Sequence, residues 1–183
     1  MQADFFWSDT PDMDWVHGQH DLWLVLLSLV VSCVASGQAL RLAAFARLAQ
    51  TKLLRRWAVA SGALALGTGI WAMHFIGMLS HPLHAAAQYD LKLTLLSILP
   101  GIAASAVALT MLANHKLPTR PLVLGGVIVG IGIAAMHYSG MAAVHMQVPH
   151  KYSPLWFALS LLIGVALAML ALWVRFGITR ADS

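Results

Sequence analysis

Two short segments of this 183-residue chain place a histidine beside methionines at the same spacing. In each, one methionine precedes the histidine and another follows it four residues later: Met73, His74 and Met78 in the first segment, and Met136, His137 and Met141 in the second. On a helix, residues four apart share a face and lie about 6 Å apart along the axis, so each segment directs an imidazole and a thioether to one place. Thioethers favour Cu(I), and imidazole suits copper, zinc and iron. This donor set therefore points first to copper, with zinc as an alternative.

Further histidines lie near the same ends of the two segments. His81 and His145 follow the motif histidines by about two helical turns, and His20 and His84 are close to them in sequence. We take all four as candidate additional ligands, and solvation at a membrane surface as the competing interpretation.

Hydroxyl groups follow the second motif histidine only. Tyr138 and Ser139 take the places that Phe75 and Ile76 have in the first segment. They are candidates to contact a bound gas or to support the metal ligands. Tyr138 could equally belong to the belt of aromatic residues at a membrane interface.

The residues around these segments indicate a membrane protein. The chain is 60% apolar and 10% charged, and its mean hydropathy of +0.76 leaves too few polar side chains to cover a soluble domain. Apolar runs of about 20 residues, enough to cross a hydrocarbon core of about 30 Å, occur at five places: Leu22 to Leu42, Trp57 to Leu79, Leu91 to Ala113, Pro121 to Ala143 and Pro154 to Val174. We therefore predict an all-α, polytopic bundle of five transmembrane helices surrounded by lipid.

Basic residues predict the orientation of this bundle. Nine of the eleven Lys and Arg residues lie at the end of, or after, the first, third or fifth apolar run, and only Lys92 and Lys151 lie at the other end. The positive-inside rule then places the N-terminus outside and the C-terminus in the cytoplasm. Every histidine except His115 falls on the outer side. The basic pI of about 9.6 reflects cytoplasmic anchors, so no nucleic-acid partner is needed to explain it.

The chain also repeats itself at an offset of 63 residues, which aligns Gly67 with Gly130 and Gly77 with Gly140. The chain thus contains two and a half copies of a helical hairpin. Because the copies are parallel, both Met-His segments lie in the same leaflet. Glycines of the repeat are expected to let helices approach closely. The predicted parts are an outer segment 1–20, repeats 21–88 and 89–151, a partial third repeat 152–175 and a cytoplasmic tail 176–183.

Packing is the competing interpretation for a single Met-His segment, because methionine fills gaps between helices and a buried histidine often bonds to a carbonyl group. Two copies on parallel helices favour ligation instead. An ionisable side chain inside a membrane is costly and marks a functional site by default.

The Met-His-Phe and Met-His-Tyr segments, each followed by Gly-Met and preceded by Gly-x-Gly-Ile, resemble the MHYT family of bacterial integral-membrane sensor domains. The resemblance covers roughly residues 20 to 175. The motif falls on the two Met-His-Met sets given above, while its Thr position holds Ile76 in the first copy and Ser139 in the second. The family's usual third motif, in a helix after Val174, has no counterpart up to Ser183.

The resemblance implies a sensory domain of the bacterial inner membrane. Such a domain is proposed to bind copper through the motif His and Met residues near the outer face, and to detect oxygen, carbon monoxide, nitric oxide or redox state. It usually precedes a cytoplasmic signalling domain, often one that makes or degrades cyclic di-GMP.

Other functions stay open on the sequence. His74 and His137 could be axial ligands of a b-type haem, or the donors could form the pathway of a copper-handling protein. Donors gathered on the outer side argue against such a pathway. A structural bundle that dimerises through its glycine faces is a further alternative, and we also consider a homodimer for the sensor. The residue patterns of hydrolysis and acyl transfer are missing, so we predict that the chain is not an enzyme.

Overall fold

The structure, a computed structural model, describes residues 20–81, 87–114, 118–145 and 154–181. Its helices and strands follow in this order: α1 Leu22–Leu48, α2 Lys52–Leu79, β1 Gln88–Tyr89, α3 Leu91–Leu96, α4 Ile98–Leu112, α5 Thr119–Ala142, β2 Val144–His145 and α6 Pro154–Ala181. Within these ranges, five helical stretches are long and apolar enough to cross a membrane, and α3 together with α4 forms one of them. The prediction of an all-α polytopic bundle is confirmed.

Small residues fill the contacts between helices, and large apolar residues face outward. Buried positions are mostly alanine and glycine, among them Ala43, Ala63 and Ala104, whereas Leu26 on α1 and Leu162 on α6 are exposed. A soluble domain would bury such leucines. In a bilayer, lipid covers them, and the close packing of small residues holds the helices together.

The helices pack in chain order, with α2 between α1 and α4, and α5 between α4 and α6. One glycine on each of these middle helices allows it to approach the next hairpin closely. A Cβ atom at Gly67 would lie 2.6 Å from the Ile102 Cα, and one at Gly130 would lie 2.6 Å from the Val165 Cα. Both pairs occupy equivalent places in the repeat. The predicted role of these glycines is therefore confirmed, and the same contact is built twice.

A second glycine in each hairpin lets the two helices of that hairpin pack closely against each other. Gly69 on α2 faces Ala35 on α1, and its counterpart Gly132 on α5 faces Ala104 on α4. In both cases a Cβ atom would collide with the methyl group of the facing alanine. The hairpins thus share one internal packing pattern, as the sequence repeat predicts.

Gly77 does not follow the predicted pattern. None of the described residues lies within 4 Å of a Cβ atom placed there, whereas a Cβ atom at its counterpart Gly140 would lie 3.2 Å from the Phe75 Cζ. The contact between α2 and α5 thus places Gly140, but not Gly77, against the other helix. The two copies are therefore unequal at this end of the bundle.

The structure divides the third predicted span into two helices at Ser97. Pro100 has no N–H group to donate to the Leu96 carbonyl, which weakens the helix here. Trp71 on α2 bonds to the chain at this break. Its Nε1 donates to the Thr94 carbonyl at 3.1 Å and to the Ser97 Oγ at 3.0 Å. This tie between the two hairpins was not predicted.

The helices also extend beyond the apolar runs at the basic end. α1 continues to Leu48, α2 begins at Lys52 and α6 runs to Ala181. Residues 176–181, predicted as part of a tail, are therefore helical. Hydropathy marks only the stretch inside the lipid, while the backbone hydrogen bonds of a helix continue past it.

Asp21 and Asp90 are the N-cap residues of the first helices of the two hairpins. The carboxylate of each accepts the backbone N–H groups of the residues two and three positions further on. Their own N–H groups donate at 2.8 Å to the carbonyls of Ser80 and Ala143, at the far ends of the same hairpins. The antiparallel strands β1 and β2 adjoin the second of these contacts and were not predicted.

Two arginines bind the other end of the bundle, where α4 ends. The Arg47 Nη1 donates to the Leu112 carbonyl at 2.6 Å, and the Arg55 Nη2 donates to the Asn114 Oδ1 at 2.7 Å. Cations at this position satisfy the last carbonyl groups and suit the helix dipole. We expect this basic end to face the cytoplasm.

We expect Gly67→Ala and Gly130→Ala each to lower the free energy of unfolding by about 1–3 kcal/mol, because the new methyl group meets backbone atoms of the next helix. Gly77→Ala is the matched control and should change stability little. Helical circular dichroism during denaturant unfolding in micelles measures all three. An equal loss in Gly77→Ala would contradict the packing described here.

Candidate metal centre

The two motif histidines lie against each other where α2 meets α5. The ring centroids of His74 and His137 are 4.7 Å apart, with the ring planes at 63°. The two helices belong to different hairpins and touch over only a short length. The repeat thus brings one imidazole from each copy to a single place.

Phe75 and Gly140 position this histidine pair. Phe75 is 8% exposed, and its ring centroid lies 4.9 Å from that of Trp71 and 5.4 Å from that of His74. A Cβ atom at Gly140 would lie 3.5 Å from the His74 Nε2, so glycine lets α5 approach the ring. Tyr89 lies on another side of Phe75, and burial raises the pKa of its phenol, which keeps it protonated.

A cavity of about 230 Å³ lies beside the histidine pair, between α2, α5 and α6. Its walls are mainly apolar and include Ile70 and Ile133. Met73 and Met136, the residues directly before the histidines, also line it, and Met136 is only 2% exposed. Two imidazoles and two thioethers from equivalent positions therefore border one space.

The other two motif methionines are placed differently. Met78 and Met141 are half-buried on α2 and α5, and neither is among the residues that line the cavity. Each follows its histidine by four residues, so it lies one turn nearer the helix end on the same face. The predicted set of four methionines thus divides into two that border the cavity and two that lie beyond it.

The prediction that His81 and His145 continue the helical stripe is wrong. α2 ends at Leu79 and α5 ends at Ala142, so both histidines follow the helix ends. Ser80 closes α2 through its hydroxyl group, which donates to a carbonyl of the last turn at 2.6 Å. His145 is exposed on β2.

His81 lies next to His20 instead. Their ring centroids are 5.1 Å apart, and the His20 Nδ1 lies 3.2 Å from the Ser80 Oγ. These histidines form a second imidazole pair. His84 lies outside the described residues. Among the residues that the structure describes, no group of three His, Cys, Asp or Glu side chains could hold a metal ion. A site at the motif pair would therefore rely on thioethers as well as imidazoles.

Tyr138 and Ser139, the two candidate hydroxyls, have different partners. The Tyr138 hydroxyl bonds to the Ser160 Oγ on α6, and Tyr138 lines the cavity. The Ser139 hydroxyl donates to the Ala135 carbonyl of its own helix at 2.6 Å. Tyr138 therefore joins two helices at the cavity, whereas the hydroxyl of Ser139 is engaged within α5.

Sequence reasoning missed the contribution of α6, which brings Ser160 and Gly164 to the cavity wall. A signal for Ser160 was present, because Ser28, Ser97 and Ser160 begin equivalent turns of the repeat. Ser97 accepts a hydrogen bond from the Trp71 Nε1, just as Ser160 bonds to a tyrosine. The repeated serine thus marks where consecutive hairpins join.

A comparison with known families supports the motif resemblance over more than half of the chain. The MHYT family, described as "Bacterial signalling protein N terminal repeat", matches residues 67–125 and 130–182. The chain belongs to the MHYT family. Its two matched segments each contain or adjoin one Met-His motif of the repeat.

Several curated proteins are similar to this MHYT domain. It is 46% identical over 153 residues to the bifunctional diguanylate cyclase/cyclic di-GMP phosphodiesterase MucR of Pseudomonas aeruginosa. It is 40% identical over 149 residues to the cyclic di-GMP phosphodiesterase NbdA of the same species, and 30% identical over 161 residues to the signaling protein YkoW of Bacillus subtilis. The alignments cover 84%, 81% and 88% of this chain and 22%, 19% and 20% of those proteins, so the chain spans about a fifth of their length. No solved structure matches.

We expect Tyr138→Phe to lower the free energy of unfolding by about 1 kcal/mol, because it removes a hydrogen bond between α5 and α6. Ser139→Ala removes a hydroxyl that bonds within its own helix, and it should change stability by a few tenths of a kcal/mol at most. Parallel unfolding curves in micelles compare the two variants. A larger loss in Ser139→Ala would contradict the assigned contacts.

Proposed function

We propose that this MHYT domain is a copper-dependent sensor of the bacterial inner membrane. His74 and His137 would bind the ion, Met73 and Met136 would complete the site, and Met78 and Met141 would flank it. The domain carries no catalytic residues in this proposal. It passes a change at the metal site to a cytoplasmic signalling partner.

The observation that supports this proposal is the contact between the motif imidazoles, with a thioether from each copy on the same cavity. Chain segments 63 residues apart supply matching donors to one place, which packing alone does not require. Imidazole with thioether is a donor set that suits Cu(I). Bound copper would supply a position that a diatomic ligand can take, or a change of redox state.

The same geometry favours copper over the two alternatives. A haem with two axial histidines needs its porphyrin plane between the rings, and rings with centroids 4.7 Å apart leave no room for that plane. Zinc in proteins takes thiolate, imidazole or carboxylate ligands, usually four in a structural site. The described residues offer no third such group beside the pair.

Relatives suggest the kind of partner that would receive the signal. MucR and NbdA bear names of enzymes that make or degrade cyclic di-GMP. We infer that this domain acts with such a domain on the cytoplasmic side, with the motif end facing outward. We also propose that the domain forms a homodimer.

We expect reduced protein loaded with Cu(I) to retain stoichiometric copper, and His74→Ala or His137→Ala to weaken binding at least tenfold, which is about 1.4 kcal/mol. Elemental analysis and competition with a Cu(I) chelator measure this. His145→Ala is the control, because that histidine is exposed on β2.

Unchanged affinity in the double variant of His74 and His137 would contradict the proposed site. An intense Soret band in the visible spectrum of purified protein would instead establish haem.

We expect the Cu(I) form to bind carbon monoxide and to show an infrared C–O band that shifts with isotopic labelling. Metal-free protein and His137→Ala should show no such band, because each lacks the ion or one of its ligands. A band of equal intensity in metal-free protein would refute gas binding at copper.

A further inference from the structure

The cavity beside the histidine pair is much larger than a metal ion or a diatomic gas requires. Its volume is about 230 Å³, whereas a water-sized molecule takes roughly 30 Å³ of a liquid, and an apolar cavity of about 150 Å³ holds benzene. There is space for a six-membered ring with several substituents. A molecule that binds the folded protein there and not the unfolded chain would stabilise the fold.

The chemistry of the walls limits what this molecule can be. Ile70, Ile133 and Leu161 provide apolar surface for the faces of a ring. The polar groups lie on the remaining wall and include His137 and Tyr138. Ligand sites commonly combine a mostly apolar lining with a few polar groups that fix orientation.

The hydrogen bonds around Tyr138 leave His137 as the donor toward the cavity. The Ser160 hydroxyl donates to the Phe157 carbonyl at 2.8 Å, so the Tyr138 hydroxyl donates to Ser160. A neutral imidazole carries one N–H group. His137 can therefore donate to a carbonyl oxygen of a ligand, while the ring of Tyr138 forms part of the wall.

The position of the cavity indicates entry from the lipid. It is bounded by α2 and α6, which both pack on other helices and share at most isolated contacts with each other among the described residues. Both are membrane-spanning helices, so the space between them lies at the depth of the bilayer. A ligand dissolved in the membrane could enter sideways between them.

We propose that this cavity binds the ring of a lipid-soluble quinone, with a ring carbonyl accepting a hydrogen bond from His137. A lipid acyl chain would also fill apolar space, but it offers no acceptor for the imidazole, whereas a quinone carbonyl does. The proposal goes beyond copper sensing and does not require copper. Binding is therefore tested on metal-free protein.

Gly164 provides a way to fill the cavity. It lines the cavity, and none of the described residues lies within 4 Å of a Cβ atom placed there, so the side chain of Gly164→Leu would occupy the ligand space without a clash with the described backbone. Gly37 on α1 is the matched control, since its Cβ position is equally open among the described residues and it does not line the cavity. Both variants put leucine in place of a helical glycine.

The experiment titrates metal-free protein in lipid nanodiscs with a radiolabelled, short-tailed ubiquinone analogue, after subtraction of the uptake by empty nanodiscs. We expect saturable binding that Gly164→Leu weakens at least tenfold and Gly37→Leu leaves within twofold. His137→Phe keeps an aromatic ring at this position but removes the N–H group, so it should weaken quinone binding about fivefold, or about 1 kcal/mol. Circular dichroism and an unfolding curve in micelles show that Gly164→Leu is folded.

Three results would overturn the proposal. The first is uptake no greater than that of empty nanodiscs. The second is equal quinone affinity in Gly164→Leu and in the unaltered protein. The third is displacement of the quinone by palmitoleic acid together with unchanged quinone binding in His137→Phe. The last result would assign the cavity to acyl chains. Because copper plays no part in the titration, a failure here is distinct from a failure of the copper site.

Discussion

The convergence of three helices near Gly101 is the contact on which the candidate site depends. A Cβ atom at Gly101 on α4 would lie 3.3 Å from the Met136 Cγ of α5 and 3.6 Å from the Gly67 carbonyl oxygen of α2. Because lipid is as apolar as leucine, helices in a membrane associate through close packing rather than by escaping from water. Glycine on α4 therefore allows α2 and α5 to come near each other, and only then do His74 and His137 touch.

The repeat builds one asymmetric site rather than two equal ones. Both copies carry the same motif on parallel helices, yet α2 presents His74 and Phe75 to α5, while α5 presents Gly140 to α2. The contact between α2 and α5 is only partly symmetric, because the equivalent residues His74 and His137 touch while Phe75 packs against Gly140 and no described residue packs on Gly77 in the same way. The tyrosine hydroxyl is likewise used in one copy only, since of the equivalent residues Phe75 and Tyr138 only Tyr138 lines the cavity and bonds to Ser160 on α6.

Hydropathy and the repeat were sufficient to predict the spans and the hairpins, because both can be read directly from the order of residues along the chain. The break at Ser97 was missed, because the tie to Trp71 comes from another hairpin. The pairing of His20 with His81 was also missed. It depends on where α2 ends, and the backbone contact between Asp21 and Ser80 fixes that end.

The position of α6 suggests how events at the candidate site could reach the basic end of the bundle. α6 packs chiefly on α5, close to the cavity and to the hydrogen bond between Tyr138 and Ser160. A ligand in the cavity or on the histidine pair therefore lies at the contact that holds α6 in place. A ligand shifts such a contact only by the difference between its affinities for the two arrangements. Two ligands that act on this contact must also affect each other's binding by the same factor. If a bound quinone changes the affinity for copper, bound copper therefore changes the affinity for the quinone by that factor.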